Sequence, residues 1–125
     1  MRIQTQKRHP DAGLALALED GACYWFLHPW FDRLRSECGK YIDLYGDASF
    51  TRDDFPRLRK LLEEAEALTK QQSKTWQVNV GTELPAGKDL SLPAQREKLL
   101  EIIATWRRMI EVAEETQGSI ECTGD

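Results

Sequence analysis

The sequence predicts one domain of mixed helices and strands, α/β or α+β in class. The expected form is a two-layer sandwich of about five strands with three helices mainly on one face. Three observations lead there. Apolar residues alternate with period two in short runs at 14–18, 40–45, 76–80 and 120–123, the mark of strands with one buried face. They recur with a 3.6-residue period over 55–68 and 99–113, the mark of amphipathic helices. Gly, Pro and Asp punctuate these runs so that the elements follow in the order β-β-α-β-α-β-α-β.

Each element has its own signals. Residues 1–12 carry no periodic pattern and read as a mobile start. Leu14, Leu16 and Leu18 then alternate with Ala15 and Ala17. Asp20-Gly21 follows as a hairpin turn, because a type I′ turn needs positive φ. The aromatic run from Cys23 to Leu27 reads as the returning strand. His28 is expected to cap a short helix with Pro29 in its first position, where a missing N–H costs nothing. That helix turns Trp30, Phe31 and Leu34 inward and stops at Gly39 after Cys38.

Lys40 to Tyr45 alternates again, with Ile42 and Leu44 on one side and Tyr41, Asp43 and Tyr45 on the other; Gly46-Asp47 ends the strand. Thr51 or Asp53 is the expected cap of the next helix, with Asp53 and Asp54 suited to its positive end and Pro56 to its first turn. Its inward stripe is Phe55, Leu58, Leu61, Leu62, Ala65 and Leu68. Trp76, Val78 and Val80 alternate with Gln77 and Asn79 in a strand ended by Gly81, and residues 83–91 read as a loop. Pro93 opens the longest helix, with Leu99, Ile103, Trp106, Ile110 and Ala113 inward. Gly118 closes it before a last strand at Ile120–Thr123.

Strands separated by helices favour parallel crossovers of one hand, so the last three strands are expected to run parallel in one sheet. Helices gathered on one face leave the other open. Alternation places Asp43, Tyr45, Gln77, Asn79 and Glu121 on that open side, opposite Ile42, Leu44, Val78, Val80 and Ile120.

Composition narrows the function. With 41% hydrophobic and 30% charged residues over 125 positions, the chain is an ordinary globular domain that needs neither metal nor disulfide to fold. Its net charge of −4 argues against a general nucleic-acid binder, which needs clustered Lys and Arg. No apolar stretch is long enough for a bilayer span, and Met1 to Asp11 has no apolar core of a secretory signal. Cys23, Cys38 and Cys122 have no CxxC spacing and read as reduced thiols, so a cytoplasmic location is expected.

Catalytic signatures are scarce. The chain has no GxxxxGK, GxGxxG or GxSxG, and two histidines without HxxxH spacing make a zinc site improbable. His28 as a base for Cys23 or Cys38 is weighed against a simpler role as cap, and Trp25, Trp30, Trp76 and Trp106 read as core. One repeat stands out. Residues 42–47 (IDLYGD) and 120–125 (IECTGD) both read aliphatic, acid, apolar, hydroxyl, Gly, Asp. Parallel strands would bring Asp47 and Asp125 to one sheet edge, where open α/β sheets bind ligands. Gly-Asp is also common punctuation after any strand, which explains the repeat without chemistry.

The stretch Leu44-Tyr45-Gly46-Asp47, followed by Phe50, a leucine-rich helix and a closing Gly-Asp strand, resembles small bacterial proteins of mostly unassigned function. Some of those are immunity proteins of polymorphic toxin systems. The resemblance spans Ile42 to Asp125 and implies an acidic partner protein; it carries over no catalytic residue. The expected function is therefore a non-enzymatic binding protein that masks a basic protein surface, such as that of a toxin domain. Asp43, Tyr45, Asp47, Gln77, Asn79 and Glu121 are its expected contact residues, with no cofactor and no nucleic-acid or membrane partner. The alternatives are a small carboxylate- or metal-dependent hydrolase using Asp43, Asp47 and Asp125, and a homodimer joined through the open face.

Overall fold

The structure, a computed structural model, describes residues 2–6, 15–17, 21–43, 46–83 and 88–124. Along the chain they form β1 (Arg2–Gln6), β2 (Ala15–Ala17), α1 (Gly21–Cys38), β3 (Asp47–Phe50), α2 (Phe55–Lys70), β4 (Thr75–Glu83), β5 (Lys88–Gln95), α3 (Arg96–Glu115) and β6 (Ser119–Thr123). The class is α+β. Its strands are all antiparallel and fall into two sheets, one ordered β2-β1-β6-β3 and the other the pair β4-β5.

The expected hairpin at 14–27 is replaced in its second half by helix. Tyr24, Leu27, Phe31 and Leu34 recur at intervals of three and four and are all buried. That stripe decides the segment. Pro29 lies inside α1 rather than at its start, and His28 is an interior helical residue, not a cap. An interior proline costs about 3 kcal/mol. Burial of Leu27, Phe31 and Leu34, each contributing about 1.5–3 kcal/mol, offsets it. The helix does stop at Gly39, whose φ of 76° is a left-handed conformation and whose N–H reaches the Arg35 carbonyl at 2.9 Å.

The strand expected over Lys40–Tyr45 does not form. Tyr41 to Asp43 have no regular structure, Leu44 and Tyr45 lie outside the described residues, and strand pairing begins at Asp47. Ile42 is buried, and its carbonyl accepts the Tyr24 hydroxyl at 3.0 Å, so a side chain takes the acceptor a sheet ladder would use. The N-cap of α2 is Asp54, not Thr51 or Asp53. Its carboxylate reaches back to the Thr51 N–H at 2.9 Å, tying the turn before the helix, and also pairs with Lys40. Five of the six stripe residues on α2 are buried. Leu68 lies on the flank of that face and is exposed, while Thr69 is inward and bonds its hydroxyl to the Ala65 carbonyl at 2.6 Å.

Of the expected loop at 83–91, Glu83 ends β4 and residues 88–91 begin β5, its antiparallel partner, with residues 84–87 outside the described residues. Leu90, Leu92 and Ala94 are themselves a period-two run. Pro93 sits in β5 opposite Gln77 instead of opening α3. A two-stranded ribbon consists of edges, where proline is tolerated. α3 begins at Arg96, whose N–H donates to the Lys74 carbonyl at 3.0 Å. Its whole expected stripe is buried.

The antiparallel sheet has a topological cause. The parallel-crossover rule applies to strands joined by one helix in one sheet. Here β4 leaves the sheet to pair with β5, and that hairpin adds a reversal before β6 returns. The start expected to be mobile supplies β1, which pairs with both β2 and β6. One sheet face turns Ile3, Phe50, Ile120 and Cys122 into the main core, beneath Trp106 and its neighbours on α3. α1 instead packs Ala22, Trp25 and Phe26 against Val78, Ala94 and Trp76 of the ribbon. The helices thus serve two sheets rather than one. α2 and α3 run antiparallel, because Arg59 pairs with Glu114 while Glu66 pairs with Arg107. These arginines bridge the two helices rather than pairing along one of them. Trp106 is fully buried, whereas Trp25, Trp30 and Trp76 are only half-buried.

Candidate binding surface

The core-facing residues of the four-stranded sheet fix what lies on its other face. In the register of β1, β6 and β3, Ile3, Cys122 and Ala48 form one inward row. The neighbouring rows must then point outward. They are Arg2–Thr123–Asp47 and Gln4–Glu121–Ser49. Arg2, Asp47, Ser49 and Thr123 are exposed, and Gln4 and Glu121 are half-buried.

Side chains on this face are ordered by one another. Glu121 Oε1 accepts the hydroxyls of Ser49 and Ser119, both at 2.8 Å. Asp47 Oδ1 accepts the Gly124 N–H at 3.2 Å, and the Gly124 N–H also lies 2.9 Å from the Gly46 carbonyl. Gly46 and Asp47 therefore meet Gly124, through antiparallel pairing that sets the start of β3 beside the end of β6. Asp125 lies outside the described residues. Asp43 joins from the preceding turn, where its carbonyl accepts the Gly46 N–H at 3.4 Å.

Of the six residues expected to share one face, the structure brings Asp47 and Glu121 together, with Asp43 in the adjoining turn rather than on a strand. Gln77 and Asn79 are exposed on β4, in the separate ribbon, and are not neighbours of Glu121 in the sheet. Tyr45 is outside the described residues. Sequence reading missed Ser49, Thr123, Gln4 and Arg2. The signal was present in Asp47-Ala48-Ser49-Phe50, a short polar–apolar alternation obscured by assigning the strand to 40–45.

A second constellation lies beside α1. His28 Nε2 is 2.7 Å from the Tyr41 hydroxyl, and the Arg35 guanidinium lies 4.7 Å from the Tyr41 ring centre. With the Tyr24–Ile42 bond, these contacts clamp residues 41–42 onto the helix. The imidazole Nε2 is thus engaged by a phenol. Among the described residues no group of three or more His, Cys, Asp and Glu is placed to hold a metal ion, and no helix is long and apolar enough to cross a membrane.

Burial, and then the charge of Glu121, push the Cys122 thiol up to about 12. Cys23 is also buried, while Cys38 is half-exposed. Iodoacetamide at about pH 8 is therefore expected to label Cys38 in the native protein and spare Cys23 and Cys122, which react only after denaturation. Peptide mapping by mass spectrometry checks this, and rapid native labelling of Cys122 would contradict the buried inward row. No family model matches the chain, and neither curated proteins nor solved structures match it at a significant level.

Proposed function

We propose that this chain is a non-enzymatic binding protein that docks a basic protein surface on the open face of its four-stranded sheet. The observation that carries the reading is the outward grouping of Asp47 and Glu121, with Asp43 in the turn just before β3 and Arg2 as the basic residue of the two rows. The hydroxyls of Ser49 and Ser119 hold Glu121 in place, which reduces the ordering required on binding. The resemblance of Ile42–Asp125 to small bacterial proteins of mostly unassigned function, some of them immunity proteins, suggests a toxin domain as the partner. Three free cysteines suit the reducing cytoplasm in which such a partner is neutralised.

A partner captured from the native host and then purified provides the test. Asp47→Lys combined with Glu121→Lys is expected to weaken its binding by roughly tenfold or more, because like charges oppose each other across the interface. Binding to the wild type should weaken with added salt. Thermal unfolding of the double variant should stay close to that of the wild type, since both side chains lie outside the core. Equal affinity for wild type and variant, with both folded, would reject this face.

A further inference from the structure

Antiparallel ladders alternate between pairs that exchange hydrogen bonds and pairs that do not. The Gly124 N–H bond to the Gly46 carbonyl marks 46–124 as a bonded pair, and the register continues through Asp47–Thr123, Ala48–Cys122, Ser49–Glu121 and Phe50–Ile120. Ala48 and Phe50 therefore turn their backbone groups toward β6. Asp47 and Ser49 turn theirs the other way, to the outer edge. β3 is the last strand of its sheet, both residues are exposed, and among the described residues nothing bonds these outward N–H and C=O groups.

We propose that this edge takes an added antiparallel strand, an extended segment of a protein partner with Lys or Arg at alternate positions. The inference rests on the acidic-face reading and specifies the form of the partner. Edge strands are usually guarded by shortness, charge, Pro or a bulge. Asp47-Ala48-Ser49-Phe50 is short and carries only the charge of Asp47, which repels an acidic strand and admits a basic one, and it has neither Lys nor Pro. In an antiparallel addition, the residues bonded to Asp47 and Ser49 share their face of the sheet. Basic side chains there stand about 4.8 Å from Asp47, one strand spacing away. Glu121 lies one strand further in, and Asp43 and Asp53 flank β3; of the bases nearby, Lys40 is paired with Asp54 and Arg52 is exposed. Main-chain bonds at Asp47 and Ser49 would supply affinity and the alternate cations specificity, the division of labour in strand-addition complexes.

Fluorescence anisotropy with three labelled peptides of alternating Lys and Val tests this. One is unmodified, one is N-methylated at the lysine amides and one at the valine amides; their charges are equal. The unmodified peptide is expected to bind. Methylation at lysine should weaken binding by roughly tenfold or more, and methylation at valine should not, because only the lysine amides face β3. Ser49→Ala, which keeps the outward N–H and loses only the hydroxyl bond to Glu121, should keep most of the binding. Ser49→Pro should bind weakly, since it removes that N–H while leaving the ladder to β6. Failure of the unmodified peptide to bind, or equal effects of the two methylations, overturns strand addition, and neither result depends on a variant folding. If the unmodified peptide binds, an undiminished response in Asp47→Lys/Glu121→Lys separately marks failure of the acidic-face reading.

Discussion

Trp106→Ala is expected to lower the free energy of unfolding by about 3–5 kcal/mol, read as a fall in the urea midpoint at unchanged slope. Trp106 is fully buried on α3, and its ring centre lies 5.9 Å from that of Phe31 on α1. It belongs to the same core cluster as Ile3, Phe50 and Ile120 of the sheet and Leu58 and Leu62 of α2. Truncation leaves a cavity where three helices and a sheet converge, and no single neighbour can move to fill it. Trp106→Phe should do far less harm. Among the described residues the buried Trp106 indole N–H has no acceptor, a deficit of about 1–3 kcal/mol that phenylalanine removes. That gain opposes the smaller void, so a net loss of about 1–2 kcal/mol is expected. A Phe variant as unstable as the Ala variant would show that the indole N–H is satisfied after all.

Asp54→Ala is expected to cost about 2–3 kcal/mol, below the usual figure for breaking a buried pair because Lys40 remains partly in water. Asp54 is 8% exposed and joins three pieces of chain: Lys40 after α1, Thr51 after β3, and the start of α2. Alanine removes both connections and strands the Lys40 charge. Asparagine keeps the shape and an acceptor for the Thr51 N–H, so Asp54→Asn should lose less, about 1 kcal/mol.

The pH dependence has a definite sign. Burial by itself raises the Asp54 pKa. Hydrogen bonds from Lys40 and the Thr51 N–H, the Lys40 charge and the Thr51 hydroxyl outweigh it and hold the carboxyl below its ordinary 3.8. A group depressed on folding contributes stability that is complete above the ordinary value and disappears as pH falls through the lower folded value. The difference between wild type and Asp54→Asn should thus be constant near neutrality and shrink below about pH 4. Glu66 is depressed in the same direction, by Lys70 and Arg107 acting against its burial. It is common to both proteins and cancels in the comparison. A difference that grows on acidification would contradict the assigned contacts.

Repeating local patterns made much of the fold legible. The stripes on α2 and α3, the stop at Gly39 and the strand at Ile120–Thr123 each rest on several residues in one period. Errors arose where two periods or two roles competed. Cys23–Leu27 has the aromatic content of a strand, but Tyr24, Leu27, Phe31 and Leu34 continue a helical stripe through a proline that elsewhere would mark a helix start. Pro93 presented the same ambiguity with the opposite outcome. The candidate surface was legible at Asp47 and Glu121, because alternation assigns a face within each strand. It was not legible at Gln77 and Asn79, because alternation does not say which sheet a strand joins.

Local order was thus legible in the sequence alone where one period ran unbroken: the helices α2 and α3, which side of each is apolar, the strand β6, and an acidic net charge. Tertiary structure alone decided the strand partners. Pairing of β4 with β5, insertion of β6 between β1 and β3, and exposure of the outward edge at Asp47 and Ser49 depend on backbone groups from distant parts of the chain. Every residue but proline carries the same amide donor and acceptor, so those partners are selected only when the whole core closes around them.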